Sequence, residues 1–275
     1  MPTTRAVVLA RGLGSRMRAP DPGAAMTAEQ AAAADAGAKA MMPVHGRPFL
    51  DYVISALADA GITEVALIVA PDHARLRQHY GVDAPPSRVA VSFVVQPDAL
   101  GTANAVLAAE AWTAGEPFLA MNADNLYPVP ALRDLTALET PGLPAFEADD
   151  LVRSGNIPAD RICAFALVQA DTLGFLTGIV EKPGREAFAA PQHAGRPPRL
   201  VSMNCWRFDA RIFPACRDVP GSARGEFELP EAVGLAVRRG VRFAVRRARG
   251  PVLDLSTRAD AAEVAARLAG AIPCP

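Results

Sequence analysis

Short runs of β-branched and aliphatic residues alternate with longer Ala/Leu-periodic stretches through the first half of the chain. Segments 6–9, 65–69, 89–95 and 118–121 read as strands. Between them, 49–60 sets Leu50, Val53, Ile54 and Leu57 on one face at helical spacing, and 102–111 reads as a second, Ala-rich helix. Strand and helix alternating in this way predict βα units feeding an open, mostly parallel sheet, a Rossmann-like α/β fold. From about Phe146 the rhythm changes. Strands at 164–169, 175–181 and 200–208 are separated by Gly/Pro-rich connections, which predicts a smaller lobe added to the sheet. The chain closes with a strand near 241–245, the apolar segment 252–255 and a helix from about Ala259 to Leu268 that Ser256 or Thr257 would start. Two segments look inserted. In 19–38, rich in Ala, Pro and Gly, Thr27 followed by Gln30 matches a capping box; 183–198 is a Pro/Gly/Ala connection. Both read as mobile surface loops, with a flap beside a site as the sharper alternative.

Composition narrows the class. With 275 residues, 51% of them hydrophobic, the chain can bury a substantial core, and a single domain with a lobe is expected. Lys and Arg total 28 against 29 Asp and Glu, a net charge of -1. That balance excludes binding of nucleic acid or an anionic membrane through bulk charge. The first apolar run is too short for a secretory leader or a membrane span, so a cytoplasmic protein is expected. Cys163, Cys205, Cys216 and Cys274 have no metal spacing and are expected as free thiols. One imbalance stands out: Lys occurs only at Lys39 and Lys182, against 26 arginines.

Chemistry gathers at strand ends. After the first strand comes Leu9-Ala10-Arg11-Gly12-Leu13-Gly14-Ser15-Arg16. Its glycines allow backbone N–H groups to approach an anion, and a guanidinium follows to grip phosphate oxygens. Met17 stands where a dinucleotide fingerprint needs a small residue, and the Gly-Lys-Ser/Thr of a P-loop is absent. Four more motifs follow in order: Lys39-Ala-Met-Met-Pro-Val-His-Gly-Arg-Pro48, Gln96-Pro-Asp-Ala-Leu-Gly-Thr-Ala103, Met121-Asn-Ala-Asp-Asn125 and Glu181-Lys-Pro183. The arginine run at 238–249 has no interleaved aromatics and reads as an exposed face. His45, His73, His79 and His193 read as surface or loop histidines, and Glu226 and Glu228 either as a solvated helix entry or as the counterpart of a segment near the substrate.

Together these motifs closely resemble the sugar-1-phosphate nucleotidylyltransferases, also called nucleoside-diphosphate-sugar pyrophosphorylases, over nearly the whole chain. The resemblance implies the nucleotide-diphospho-sugar transferase fold and a Mg²⁺-dependent enzyme that joins an NTP to a sugar 1-phosphate, releasing pyrophosphate. It implies an NTP-binding half at 1–145, an acceptor lobe at 146–250, and at 251–275 a second metal carboxylate with the terminal helix. Leu9, Ala10, Gly12 and Gly14 match the signature loop, and Arg16 the phosphate-holding arginine. Lys39 matches a phosphate-contacting lysine, Gln96, Gly101 and Thr102 the base-recognition turn, and Asp124 and Asp254 the Mg²⁺ carboxylates. Glu181, Lys182 and Asn204 match positions facing the acceptor. Both lysines fall inside these motifs, where a compact point charge and a planar fork are not interchangeable. For such enzymes a monomer or a homo-oligomer is the ordinary outcome.

Three positions depart from the family form. Arg11 replaces a small residue, Ala123 replaces the Gly before the metal aspartate, and Ala166 stands where many sugar enzymes keep Gly. Asn-Ala-Asp-Asn is similar to the choline-phosphate cytidylyltransferases of the same superfamily. A phosphocholine-like acceptor and a non-catalytic nucleotide-sugar sensor therefore stay open beside the leading reading.

Overall fold

The computed structural model describes residues 2–12, 14–184, 186–189, 198–223 and 225–275. Strand β1 (Arg5–Leu9) runs into the one-turn helix α1 (Ser15–Arg18), followed by α2 (Ala28–Asp35), the small hairpin β2 (Pro43–Val44) and β3 (Arg47–Pro48), and α3 (Phe49–Asp59). Next come β4 (Glu64–Val69), α4 (Ala74–Gln78), β5 (Ala90–Val95), α5 (Thr102–Ala108), α6 (Glu110–Thr113) and β6 (Phe118–Asn122). The second half holds β7 (Asn125–Leu126), α7 (Val129–Thr136), β8 (Gly142–Glu147), α8 (Ala148–Ser154), β9 (Ala166–Ala170), β10 (Leu176–Val180) and α9 (Glu186–Ala189). It ends with β11 (Leu200–Ser202), β12 (Cys205–Phe208), α10 (Phe213–Asp218), α11 (Leu229–Arg238), β13 (Ala244–Ala248), β14 (Leu253–Asp254) and α12 (Arg258–Arg267).

The main sheet runs in the order β10-β9-β11-β8-β12-β6-β1-β4-β5, with β13 beside β8. β5, β4, β1 and β6 are mutually parallel, as alternating βα units require. β12 is antiparallel to β6, and β11, β9 and β10 continue antiparallel, so the lobe is an extension of the same sheet. Period-two side-chain geometry splits each parallel strand between two cores. Ala6, Val8, Val65, Leu67, Leu119 and Met121 face one cluster with Val53 and Leu57 of α3; Val7, Ala66, Ile68, Phe118 and Ala120 face another with Val106, Phe213 and Val233. The result is three layers, helix–sheet–helix. No helix among the described residues is long and apolar enough to cross a membrane.

Three expectations are corrected. The helix expected over 102–111 is two helices meeting at Ala109. The strand expected over 200–208 breaks at Met203–Asn204, where Asn204 takes a left-handed φ of 59°. Segment 19–38 is docked rather than loose. The predicted capping box is present, with Gln30 N donating to Thr27 Oγ1 and Thr27 N donating to Gln30 Oε1. Gln30 Nε2 then donates to Pro43 O, and Arg258 Nε to Ala19 O. At the far end Gly37 packs so tightly on Gly14 that a Cβ at Gly14 would sit 2.3 Å from Gly37 O. Much of 183–198, including His193, lies outside the described residues.

Candidate active site

Open α/β sheets bind ligands beyond the carboxyl ends of their parallel strands. Here that edge bears a cleft of about 650 Å³, walled by Leu9, Ala10 and Gly12 after β1, Ala70 after β4, Gln96 after β5 and Asn122–Asp124 after β6. Ala36–Met41 from the docked insert close another wall, and Arg11, Arg18, Lys39 and Arg75 bring positive charge. Thus Leu9, Ala10, Gly12, Lys39, Gln96, Gly101, Thr102 and Asp124, all anticipated from sequence, line one space. Gly14 sits behind it as the left-handed residue that opens α1. Arg16 is exposed on α1 and is not part of the wall.

The turn after β5 is built by backbone contacts that demand glycine. Gly101 has φ +100°, and a Cβ there would lie 2.6 Å from Phe227 O. Phe227 N donates to Leu100 O, Ala103 N to Phe227 O, and Leu229 N to Thr102 Oγ1. This docking carries Glu226 and Glu228 into the cleft wall, which favours the near-substrate alternative over a solvated helix entry. Gln96 is buried, with Nε2 donating to Gly101 O and Asn104 Oδ1. Arg11 reaches the same turn, Nε donating to Gln96 O and Nη2 to Pro97 O. His73 lines the wall beside it; burial holds its pKa below the ordinary value, with Arg11 adding to the effect and Asp72 opposing it.

At the other end of the cleft Lys39 Nζ donates to Asp124 Oδ2 at 2.9 Å. Immediately behind, β14 pairs with β7, placing Asp254 opposite Asn125, and Leu255 N donates to Asp124 O. Asp254 is only 3% exposed. Its Oδ1 accepts from Asn125 Nδ2 and Ser256 Oγ, and its Oδ2 lies 3.1 Å from Arg161 Nη2 in an ion pair without hydrogen-bond geometry. Arg161 is itself held by Asp260, which accepts from it through both oxygens. Burial first, then the neighbouring charge of Asp124, push the Asp254 carboxyl up to about 6.

Two crowded carboxylates with an unsatisfied oxygen fit a hard divalent cation. The donor set is all oxygen, which suits Mg²⁺ better than a thiolate- or imidazole-seeking metal. Among the described residues no cluster of three or more His, Cys, Asp or Glu forms a self-sufficient metal cage. Mg²⁺ sites commonly use one or two carboxylates and take their remaining oxygens from substrate phosphate and water.

Of the residues anticipated from the lobe, Glu181, Lys182 and Asn204 do not line the cleft but lie beside residues that do. Asn204 donates through Nδ2 to Asn122 Oδ1 in the cleft wall. Lys182, in a left-handed conformation, stands 3.7 Å from Glu181 and 4.0 Å from Glu228. Burial raises the Glu181 pKa, and Lys182 partly offsets this. Sequence reasoning missed Arg161, one arginine among 26 with no motif around it, and the linking roles of Asn122 and Asn125. His73 was read as a surface or loop histidine, and only the packing places it in the wall.

A family model described as "Nucleotidyl transferase" matches residues 5–250. The chain is 28% identical over 264 residues to a UTP–glucose-1-phosphate uridylyltransferase, AglF, of Haloferax volcanii, covering 96% of each chain. It is 31% identical over 259 residues to a glucose-1-phosphate thymidylyltransferase of an Actinoplanes species, covering 93% of this chain and 75% of that one. In fold it is similar to a UDP-glucose pyrophosphorylase solved with UDP-glucose, at a TM-score of 0.71 and 17% identity over 97% of this chain and 98% of that one. Motif order, cleft and comparisons agree: the chain belongs to the nucleotidyl transferase family, within the sugar-1-phosphate nucleotidylyltransferase superfamily.

Proposed function

We propose that this enzyme joins an NTP to a sugar 1-phosphate, giving an NDP-sugar and pyrophosphate, with Mg²⁺ held by Asp124 and Asp254. The observation that carries this reading is the pairing of Lys39 with Asp124 at one end of a cation-lined cleft, with the buried Asp254 brought behind Asp124 by the pairing of β14 with β7. An acceptor phosphate oxygen attacks the α-phosphorus; the bond from that phosphorus to the bridging oxygen breaks, and pyrophosphate leaves with the electron pair. The acceptor phosphate is already ionised at neutral pH, so the site has no need of a general base. The obstacle is repulsion between two polyanions, which bound Mg²⁺ offsets by neutralising phosphate charge. Lys39 is placed to shift from Asp124 to the NTP phosphates, and Arg11 and Arg18 add positive charge along the cleft. Lys182 and Glu181 receive the acceptor, the first at its phosphate and the second at hydroxyls.

The amide of Gln96 favours one group of bases. Its Nε2 is committed to Gly101 O and Asn104 Oδ1, so Oε1 is the end left to meet a base. An acceptor there suits the imide N–H of uracil or thymine and repels the bare N3 of cytosine. The relatives' names, uridylyl- and thymidylyltransferase, support the same choice. The phosphocholine cytidylyltransferase reading is correspondingly disfavoured. A pyrophosphate-release screen crossing ATP, CTP, GTP, UTP and dTTP with sugar 1-phosphates, cyclitol phosphates and phosphocholine tests the whole reading. Release is expected with UTP or dTTP and a sugar 1-phosphate; nucleotide binding without release from any pair would instead support a sensor.

A further inference from the structure

Four hydrogen bonds run in one direction from the core of the lobe to the buried carboxylate. Trp206 Nε1 donates to Asn204 Oδ1 at 2.9 Å, and Asn204 Nδ2 to Asn122 Oδ1 at 2.9 Å. Asn122 Nδ2 then donates to Asn125 Oδ1 at 3.3 Å, and Asn125 Nδ2 to Asp254 Oδ1 at 3.1 Å. An amide can usually be turned end for end, but these cannot. The indole N–H at one terminus only donates, and the carboxylate at the other only accepts when ionised, so each amide between them has a single orientation that satisfies the chain.

The chain joins parts that are distant in sequence. Asn122 and Asn125 flank Asp124 at the end of β6, Asn204 occupies the left-handed corner between β11 and β12, and Trp206 is wholly buried in the second core. The strained φ of Asn204 is held by this arrangement, with Asn204 N donating to Ser202 Oγ and Tyr127 O–H donating to Met203 O. With Oδ1 already accepting from Trp206 and one Nδ2 hydrogen given to Asn122, Asn204 keeps a second Nδ2 hydrogen to offer an acceptor. Hydrogen bonds linked in series away from bulk water polarise and strengthen one another.

Resting on the assignment of Mg²⁺ to Asp124 and Asp254 and of the acceptor to Asn204, we propose that Asn122 and Asn125, oriented by Trp206, are positioning residues that lock the metal carboxylate and the acceptor contact into one unit. The acceptor pocket is then set for an oxygen that accepts a hydrogen bond, and occupancy of either site favours the geometry of the other.

Cross-effects test this, because coupling between sites is reciprocal. In the full-length enzyme, half-saturating Mg²⁺ and the KM values for acceptor and NTP are measured for wild type, Trp206→Phe and Asn125→Ala. Trp206→Phe, at the acceptor end, is expected to raise half-saturating Mg²⁺ by roughly five-fold or more; Asn125→Ala, at the metal end, is expected to raise acceptor KM by a similar factor. NTP KM should change by less than about two-fold in both. Effects confined to the altered end, or equal rises in all three constants, overturn the relay. A second measurement needs no turnover. With Trp112→Phe in the background, Trp206 is the sole tryptophan, and Mg²⁺ alone should shift its emission unless Asn122→Ser interrupts the chain. An equal shift in Asn122→Ser, or none in its parent, overturns the proposal even where a kinetic variant folds poorly. Failure of the underlying assignment has another signature: activity that needs no divalent cation, or an unchanged acceptor KM in Asn204→Ala.

Discussion

Lys39 and Asp124 form an ion pair whose members have side chains only 15% and 21% exposed. A partly buried pair is costly to leave half-made, so on the proposed reading a cation held by Asp124 would displace the Lys39 ammonium, which would then need a phosphate as its partner. Asp124→Ala or Asp254→Ala should lower kcat by roughly 10²- to 10³-fold while the fold survives, as pyrophosphate-release rates and circular dichroism would show. Lys182→Arg should also fail, because a planar fork does not fit where a left-handed residue presents a compact charge. Asp254 further predicts a pH effect on the metal-free protein. Its folded pKa, about 6, lies above the ordinary carboxylate range, so its contribution to stability is full below about pH 4 and lost as pH rises through 6. In EDTA, the Tm of Asp254→Asn should therefore gain on that of wild type between pH 4 and 7; parallel curves would remove this account. At this scale the sequence was legible where residues were rare. Two lysines in 275 residues drew attention to themselves, whereas Arg161, chemically as well placed, was hidden by 25 other arginines.

Among the elements, the βα repeats were readable because periodicity follows directly from which face is buried. Strand β8 was not, although it pairs with β11, β12 and β13. Its sequence, Gly-Leu-Pro-Ala-Phe-Glu, has turn-signalling residues at its first and third positions, and a proline without an N–H argues against a central strand. Tertiary pairing overrode that local signal. The break at Met203–Asn204 was equally hidden, since a single Asn, although tolerant of left-handed backbone, is too common a residue to mark a corner inside an apolar run. The Gly101 turn carries the prediction at this scale. Gly101→Ala would need positive φ and would drive a methyl onto Phe227 O. A stability loss of about 1–3 kcal/mol is expected, together with a raised NTP KM as Gln96 and Glu228 shift, measurable by denaturant unfolding and initial rates. An unchanged KM would separate this turn from base recognition.

Across the whole molecule, the proposed function would have one sheet serve both substrates. Its parallel half ends on the cleft that would receive the NTP, its antiparallel half carries Glu181, Lys182 and Asn204, and β6 with β12 forms the seam. The global charge of -1 obscures this division, because the cations that matter are gathered at a single edge. The predicted preference belongs here, since it needs base, phosphates and acceptor at once. UTP or dTTP should exceed CTP in kcat/KM by at least about ten-fold, the discrimination expected of one buried amide in the wrong sense; equal use of CTP would mean that Gln96 does not read the base.

The ladder between β7 and β14 also sets a schedule. Asn125 and Asp254 are hydrogen-bonded neighbours separated by 129 positions, so the two carboxylates come together only through a contact of very long loop closure, among the slowest kinds to form. On a ribosome Lys39 and Asp124 emerge well before residue 254, and domains begin to fold as they emerge. A nascent chain thus holds the parallel strands long before Phe227 can brace the Gly101 turn and Asp254 can pair beside Asn125. If Asp124 and Asp254 hold the cation as proposed, chemical competence would arrive last.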